Sequence, residues 1–135
     1  MVSQPQHGSL VFNPDGNFTY TPNQNFNGTD SISFKANDGQ LDSSVSTVSL
    51  QITPVNDLPI AQNASYTINE DQQLTGQLIA TDVEGQTLTY TITTQPQHGT
   101  LTLTGNNFTY TPNLNYFGND SFNFKANDGQ GDSIS

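Results

Sequence analysis

The sequence has no cysteine, no tryptophan and no arginine, and only two lysines stand among its 135 residues. Without cysteine there is neither a disulfide scaffold nor a thiolate metal site. With two cationic side chains against twelve acidic ones and a formal net charge of -10, the surface repels phosphate backbones and anionic headgroups. Nucleic acid and membrane insertion are therefore not expected. No apolar run is long enough to span a bilayer, and no signal-peptide pattern follows Met1. The expectation is a soluble piece of a longer chain. Apolar residues make up only 31%, but the polar mass is threonine, serine, asparagine and glutamine rather than lysine and glutamate. Threonine suits the pleated, half-buried surface of a sheet, so composition points to an all-β chain rich in turns. Unneutralised carboxylates strain a compact fold unless cations gather where they cluster, which makes a divalent metal the partner to test.

Self-comparison organises the rest. "QPQHGSL" at 4–10 returns as "QPQHGTL" at 95–101, "NFTYTPN" at 17–23 returns at 107–113, and "GTDSISFKANDGQ" returns as "GNDSFNFKANDGQ". From Gln4 to Gln95 the step is 91, and from Asn17 to Asn107 it is 90. The slip falls between Gly8 and Phe18, as expected of a hairpin tip that tolerates a change of length. A period of about ninety residues suits a sandwich domain rather than a short solenoid unit. Residues 1–53 read as the C-terminal half of a first repeat and 54–135 as a second repeat lacking its final strand. Such a frame leaves open edges, and strand exchange with another copy of the chain is expected from them.

Alternation places the strands. In "TLTYTIT", Leu88, Tyr90 and Ile92 share one face and threonines the other; Phe108 and Tyr110 point inward in "NFTYT". "DSISFKAND" puts Ile32, Phe34 and Ala36 on the core side and Lys35 outside, and Val48, Leu50 and Ile52 alternate in the last strand of copy one. "PQHG", "NPDG", "VEGQ" and "NDGQ" supply turns. The fold expected is an all-β Greek-key β-sandwich, about one and a half tandem repeats of it.

Several segments carry a family likeness. "FKANDGQLDSSVSTVSLQITPVNDLPIA" at 34–61 resembles the end of a cadherin repeat and its linker, and "LIATDVEGQTLTYTI" at 78–92 resembles the cadherin A-T-D-x-D-G strand end. Together with "HGTLTLTGNNFTYTPNLNYFGNDSFNFKANDGQ" the chain is similar to the bacterial cadherin-like tandem repeats of large surface adhesins, of cadherin/Ig-like fold. The resemblance implies Ca2+ at the junction between repeats. It assigns Asn56 and Asp57 as linker ligands, Asp82 and Glu84 as the paired acids at a strand end, and Asp128 as the aspartate of the A-x-D turn. Asp38 takes the role of Asp128 for the preceding junction, and Glu70 serves the far end of the domain. The sequence departs from the family at Glu84, where a second aspartate is usual, and lacks the Asp-Arg-Glu motif of eukaryotic cadherins. Fewer ligands imply one ion per junction or a weak site. Hard oxygens on turns are what calcium takes, although aspartate also caps turns without any metal.

The remaining candidates are weaker. An isopeptide-forming lysine must face the core, and alternation puts Lys35 and Lys125 on the outer face. His7 and His98 sit in "QPQHG" with no further ligand at zinc spacing. No serine occupies a nucleophile elbow, and a sandwich of this size offers little cleft for paired carboxylates. The expectation is a non-catalytic, calcium-stiffened module of a secreted or cell-surface stalk, with neighbouring repeats as partners and a surface glycan or protein as receptor. Phe117, which aligns with Asn27, keeps open a carbohydrate-binding module attached to a larger enzyme.

Overall fold

The computed structural model describes residues 1–134, and these form eleven strands with no helix among them. They divide into two compact units, Met1–Val55 and Asn56–Ser135. No described helix is long and apolar enough to cross a membrane.

The first unit is two hairpins. β1 (Gly8–Phe12) pairs antiparallel with β2 (Phe18–Pro22), and β3 (Gly28–Phe34) pairs with β4 (Ser46–Ile52) from Gly28↔Ile52 to Phe34↔Ser46. The tip of the first hairpin closes with Asn13 N donating to Asn17 O at 2.8 Å, around Pro14, Asp15 and Gly16. Gly16 adopts φ 91°, and the Asp15 carboxylate accepts from both the backbone and the side chain of Asn17. An extended segment at the start of the chain bridges β3 on the edge away from β4, through Ser3↔Ser33.

The second unit holds β5 (Ile60–Ala61), β6 (Leu74–Gln77), β7 (Ala80–Thr81), β8 (Thr89–Thr94), β9 (Gly99–Thr104), β10 (Asn107–Pro112) and β11 (Asn123–Asn127). One sheet runs β6-β10-β9, a second pairs β11 with β8, and β5 pairs with β7. Placing β10 between β6 and β9, with β11 beside the earlier β8, is the Greek-key arrangement of a two-sheet sandwich. The β9–β10 tip needs only Gly105 and Asn106, with Gly105 at φ 63°, so the one-residue slip in the repeat lies at this hairpin tip.

The same letters bury differently in the two units. Phe108 is 2% exposed and Ala126 0%, whereas Phe18, ninety positions earlier, is 40% exposed. Phe108 is packed edge-on against Phe122 at 5.2 Å and Tyr66 at 5.8 Å, and Leu78 and Pro59 are buried in the same unit. In the first unit Ile32 is buried at 1% and Phe34 half-buried, but Ala36 is exposed although alternation placed it on the core side. The two alanines have different neighbours: Ala126 lies on β11, paired with Tyr90 of β8 and packed against β5, whereas Ala36 lies past the end of β3. Phe26 and Tyr116, which align in the repeat, are each half-buried. Each lies flat on a histidine, Phe26 on His7 at 4.3 Å and Tyr116 on His98 at 4.2 Å, with the rings 8° from parallel in both.

Candidate functional site

Three loops of the second unit meet at one place. The first is the segment entering β5, which carries Asn56 and Asp57. The second follows β7 and is the tight loop Asp82–Gln86, closed by Gln86 N donating to Asp82 Oδ1 at 3.0 Å, with Gly85 at φ 71°. The third follows β11, where the Asp128 carboxylate accepts from Gln130 N at 2.7 Å and from Gly131 N at 2.6 Å. Short side chains that bond their own turn are the reason "ANDGQ" and "TDVEGQ" stop their strands where they do.

Cross-bonds hold the loops together. Asn56 Nδ2 donates to Asp128 Oδ2 at 2.8 Å, and Asn56 Oδ1 accepts from Gln86 Nε2 at 2.9 Å and from Gln130 Nε2 at 2.8 Å. Asp57 N donates to Glu84 Oε2 at 3.1 Å. Asp128 is 9% exposed, and the Asn56 amide, followed by the two turn N–H groups, holds its pKa below the usual carboxylate value. Two oxygens at this place are buried without a hydrogen-bond partner: Asp82 Oδ2 and Gln86 Oε1. Unpartnered buried acceptors are uncommon and mark a place where another donor or a cation can be taken up.

Asn56, Asp57, Asp82, Glu84 and Asp128 are thus linked in one network. Asp38 is not part of it: it caps its own exposed turn, accepting from Gln40 N and Leu41 N at 2.8 Å each, and those bonds lower its pKa. Glu70 is exposed on the turn before β6, whereas Asp82 follows β7; its neighbour Asp71, at φ 63°, accepts from Asn115 N at 2.8 Å. As the side chains lie, no group of three or more His, Cys, Asp or Glu among the described residues is placed to hold a metal. In kind the donor set fits a hard cation, because it is all carboxylate and amide oxygen with two acceptors free. Gln86 and Gln130 bridge the loops through Asn56 Oδ1. Sequence reasoning passed over both glutamines, although each follows a turn glycine in the same "GQ" pair.

A second polar feature was also missed, and it occurs in both units. Asp120 accepts from Gln97 N, His98 N and Ser121 N at 2.8–2.9 Å and from Tyr110 Oη at 2.9 Å. Asp30 does the same with Gln6 N, His7 N, Ser31 N and Tyr20 Oη. Burial pushes the Asp30 carboxyl up, but the four hydrogen bonds outweigh it and bring its pKa to about 2. On the donor side, burial and then Asp120 push the Tyr110 phenol up to about 12. The signal lay in the repeat itself, where "QPQHG", "TYTP" and "DS" recur together. These corners pin the loops before β1 and β9 to Asp30 and Asp120.

The lysines lie outside, as alternation requires. Lys125 Nζ is 2.7 Å from Asp132, and Lys35 Nζ is 3.7 Å from Asp42, with the lysine side chains 41% and 42% exposed. Phe117 is 85% exposed.

Comparison with known families accounts for the whole length. The bacterial Ig domain family matches residues 56–135, and the bacterial cadherin-like domain family matches residues 1–54. No curated protein and no solved structure matched the chain. Both are families of structural domains rather than enzyme families, typical of surface or secreted bacterial proteins, and cadherin-like domains, the family matched by residues 1–54, generally bind calcium. With sandwich sheets, a repeated strand-and-turn sequence and these two matches end to end, the chain belongs to the bacterial Ig-like and cadherin-like repeat domains.

Proposed function

We propose that the chain is a spacer segment of a secreted or cell-surface adhesin, and that Ca2+ taken up by Asn56, Asp57, Asp82, Glu84 and Asp128 stiffens the junction where the second unit begins. The observation that carries this reading is the pair of buried, unpartnered oxygens, Asp82 Oδ2 and Gln86 Oε1, in a network that joins the linker to two strand ends. A cation there offsets carboxylate repulsion in a chain of net charge -10 and ties Asn56 and Asp57 to the domain they precede. Extracellular modules of this kind hold calcium with affinities on the order of 10⁻⁴ to 10⁻³ M, so the stalk is stiff outside the cell and flexible where calcium is scarce. Neighbouring repeats are its first partners, and a receptor belongs to other parts of the assembly.

The test is calcium titration followed by thermal melting and small-angle scattering, with Asp82→Ala beside the parent. Asp82 has one oxygen on its own loop and one free, so its loss removes the cation response while Asn56–Asp128 remains. The expected result is a rise in Tm and in maximum dimension with millimolar calcium that the variant does not show. Equal responses in both proteins, or none in the parent, reject the metal assignment and leave the spacer reading without its switch.

A further inference from the structure

The loop Asp82–Gln86 carries oxygen side chains at alternate positions, Asp82, Glu84 and Gln86, and Gly85 at φ 71° turns the chain between the last two. Alternate oxygen donors around a glycine turn are how a single loop wraps a hard cation. Gln86 N donates to Asp82 Oδ1 at 3.0 Å, so the two ends of the loop are held together. The acceptors of the network are not equally engaged. Asp128 Oδ1 accepts from two turn N–H groups and Oδ2 from Asn56, and Glu84 Oε2 accepts from Asp57 N. The two oxygens that are buried and free, Asp82 Oδ2 and Gln86 Oε1, both belong to this loop.

Which end of the Gln86 amide is oxygen follows from its neighbours. Asn56 Oδ1 accepts from Gln86 Nε2 at 2.9 Å and from Gln130 Nε2 at 2.8 Å, while Asn56 Nδ2 is committed to Asp128 Oδ2 at 2.8 Å. Turning the Gln86 amide over would set oxygen against oxygen, and turning Asn56 to meet it would aim Oδ1 at the Asp128 carboxylate. The nitrogen therefore faces Asn56, and the oxygen is the end left buried without a donor.

We infer that Gln86 is a cation ligand and the residue that couples the cation to Asn56, an inference that rests on the calcium reading above. Its Oε1 joins Asp82 Oδ2 on the ion while Nε2 keeps its bond to Asn56. Positive charge at the amide oxygen draws electron density from the nitrogen and makes its N–H a stronger donor. Ion uptake thus tightens the bond to Asn56, the residue at which the second unit begins. A neutral amide also holds an ion without adding to carboxylate repulsion in a chain of net charge -10. It suits Ca2+, which accepts amide carbonyls in flexible geometry, better than Mg2+, which gives up its waters reluctantly.

The test is calorimetric Ca2+ titration of the full chain, with 15N relaxation at Asn56 and Asp57 as the measure of order there. In the parent, Ca2+ is expected to shift the side-chain amide signals of Gln86 and to raise order at Asn56. Gln86→Met, of similar length but with neither oxygen nor donor, raises the dissociation constant by at least about tenfold. Gln86→Glu keeps an oxygen, adds charge and tightens binding, yet order at Asn56 no longer rises with Ca2+, because a carboxylate cannot donate to Oδ1. Gln130 is exposed, so Gln130→Met removes the other bond to Asn56 Oδ1 without removing a buried acceptor, and it weakens binding less than Gln86→Met. Equal losses from the two methionine variants make Gln86 a structural bridge and overturn the ligand. Order at Asn56 that rises with Ca2+ in Gln86→Glu as in the parent overturns the coupling. An ion bound equally by the parent and Gln86→Met overturns this inference alone, whereas a parent that takes up no Ca2+ overturns the calcium reading with it.

Discussion

Asn56 and Asp128 are 72 positions apart and hydrogen-bonded at 2.8 Å, so the first residue of the second unit is fastened to the end of its last strand. The same amide accepts from Gln86 and Gln130, so one small side chain joins three loops. Asn56→Ala leaves the Asp128 oxygen and two glutamine amides without their partner. The loss expected is about 1–3 kcal/mol of stability in the second unit. It is measured by urea denaturation followed at Phe108 by amide exchange, and an unchanged midpoint would mean that water replaces the amide at no cost.

Acid stability follows from the buried aspartates. Asp30 is held at about 2 against an ordinary value of 3.8, and Asp120 is lowered by the same set of bonds. Between those two values the unfolded chain binds the proton and the folded one does not, so stability falls as pH falls through this window. The stabilisation is complete above pH 4 and lost by about pH 2. Tyr20→Phe removes one of the four bonds and is expected to move the acid midpoint of the first unit upward, as seen by circular dichroism during acid titration. An acid limb that is the same in parent and variant would show that the backbone donors alone hold the carboxylate.

How far this could be read from letters alone depends on the kind of interaction. Period-two alternation and glycine turns are local, and they located the strands around Tyr90, Phe108 and Ile32 without knowledge of any neighbour. Burial is not local: Ala36 and Ala126 sit in the same heptapeptide, yet one is exposed and the other is 0% exposed. Ala126 is paired with Tyr90 of β8 and packed against β5, whereas Ala36 lies past the end of β3 in no strand. The meeting of Asn56, Asp82 and Asp128 was legible through the order of family motifs rather than through spacing, since residues so far apart carry no periodic signal. Gln86 and Gln130 were illegible because an amide that bridges loops looks like any other polar turn residue.

Close approach makes a third prediction. Gly76 lies on β6 opposite Phe108 of β10, and a Cβ added there would stand 2.6 Å from Phe108 Cζ and 2.7 Å from Cε1. The ring is 2% exposed and wedged between Tyr66 and Phe122, so it has no room to retreat. Gly76→Ala is expected to destabilise the second unit by about 1–3 kcal/mol through overpacking. Gly129→Ala is its control, with φ 95° and open space around it, so strain there comes from the backbone alone. A double variant Gly76→Ala/Phe108→Leu that recovers part of the loss would confirm the clash as the cause.

The repeat allows one substitution to be made twice in the same strand sequence. Phe108 and Phe18 occupy the same place in "NFTYTPN", but the first is 2% exposed and the second 40%. Removing a buried ring costs its transfer energy and the cavity left behind, about 3–5 kcal/mol for Phe108→Ala. At Phe18 water already reaches the ring, and there is no closed core to hold a cavity; the cost expected is below about 1.5 kcal/mol. Denaturation monitored by residue-resolved amide exchange separates the two units and reads both values in the same molecule. Equal losses at the two positions would mean that the first unit is covered in solution, and the face around Phe18 and Phe12 would then be where that cover sits.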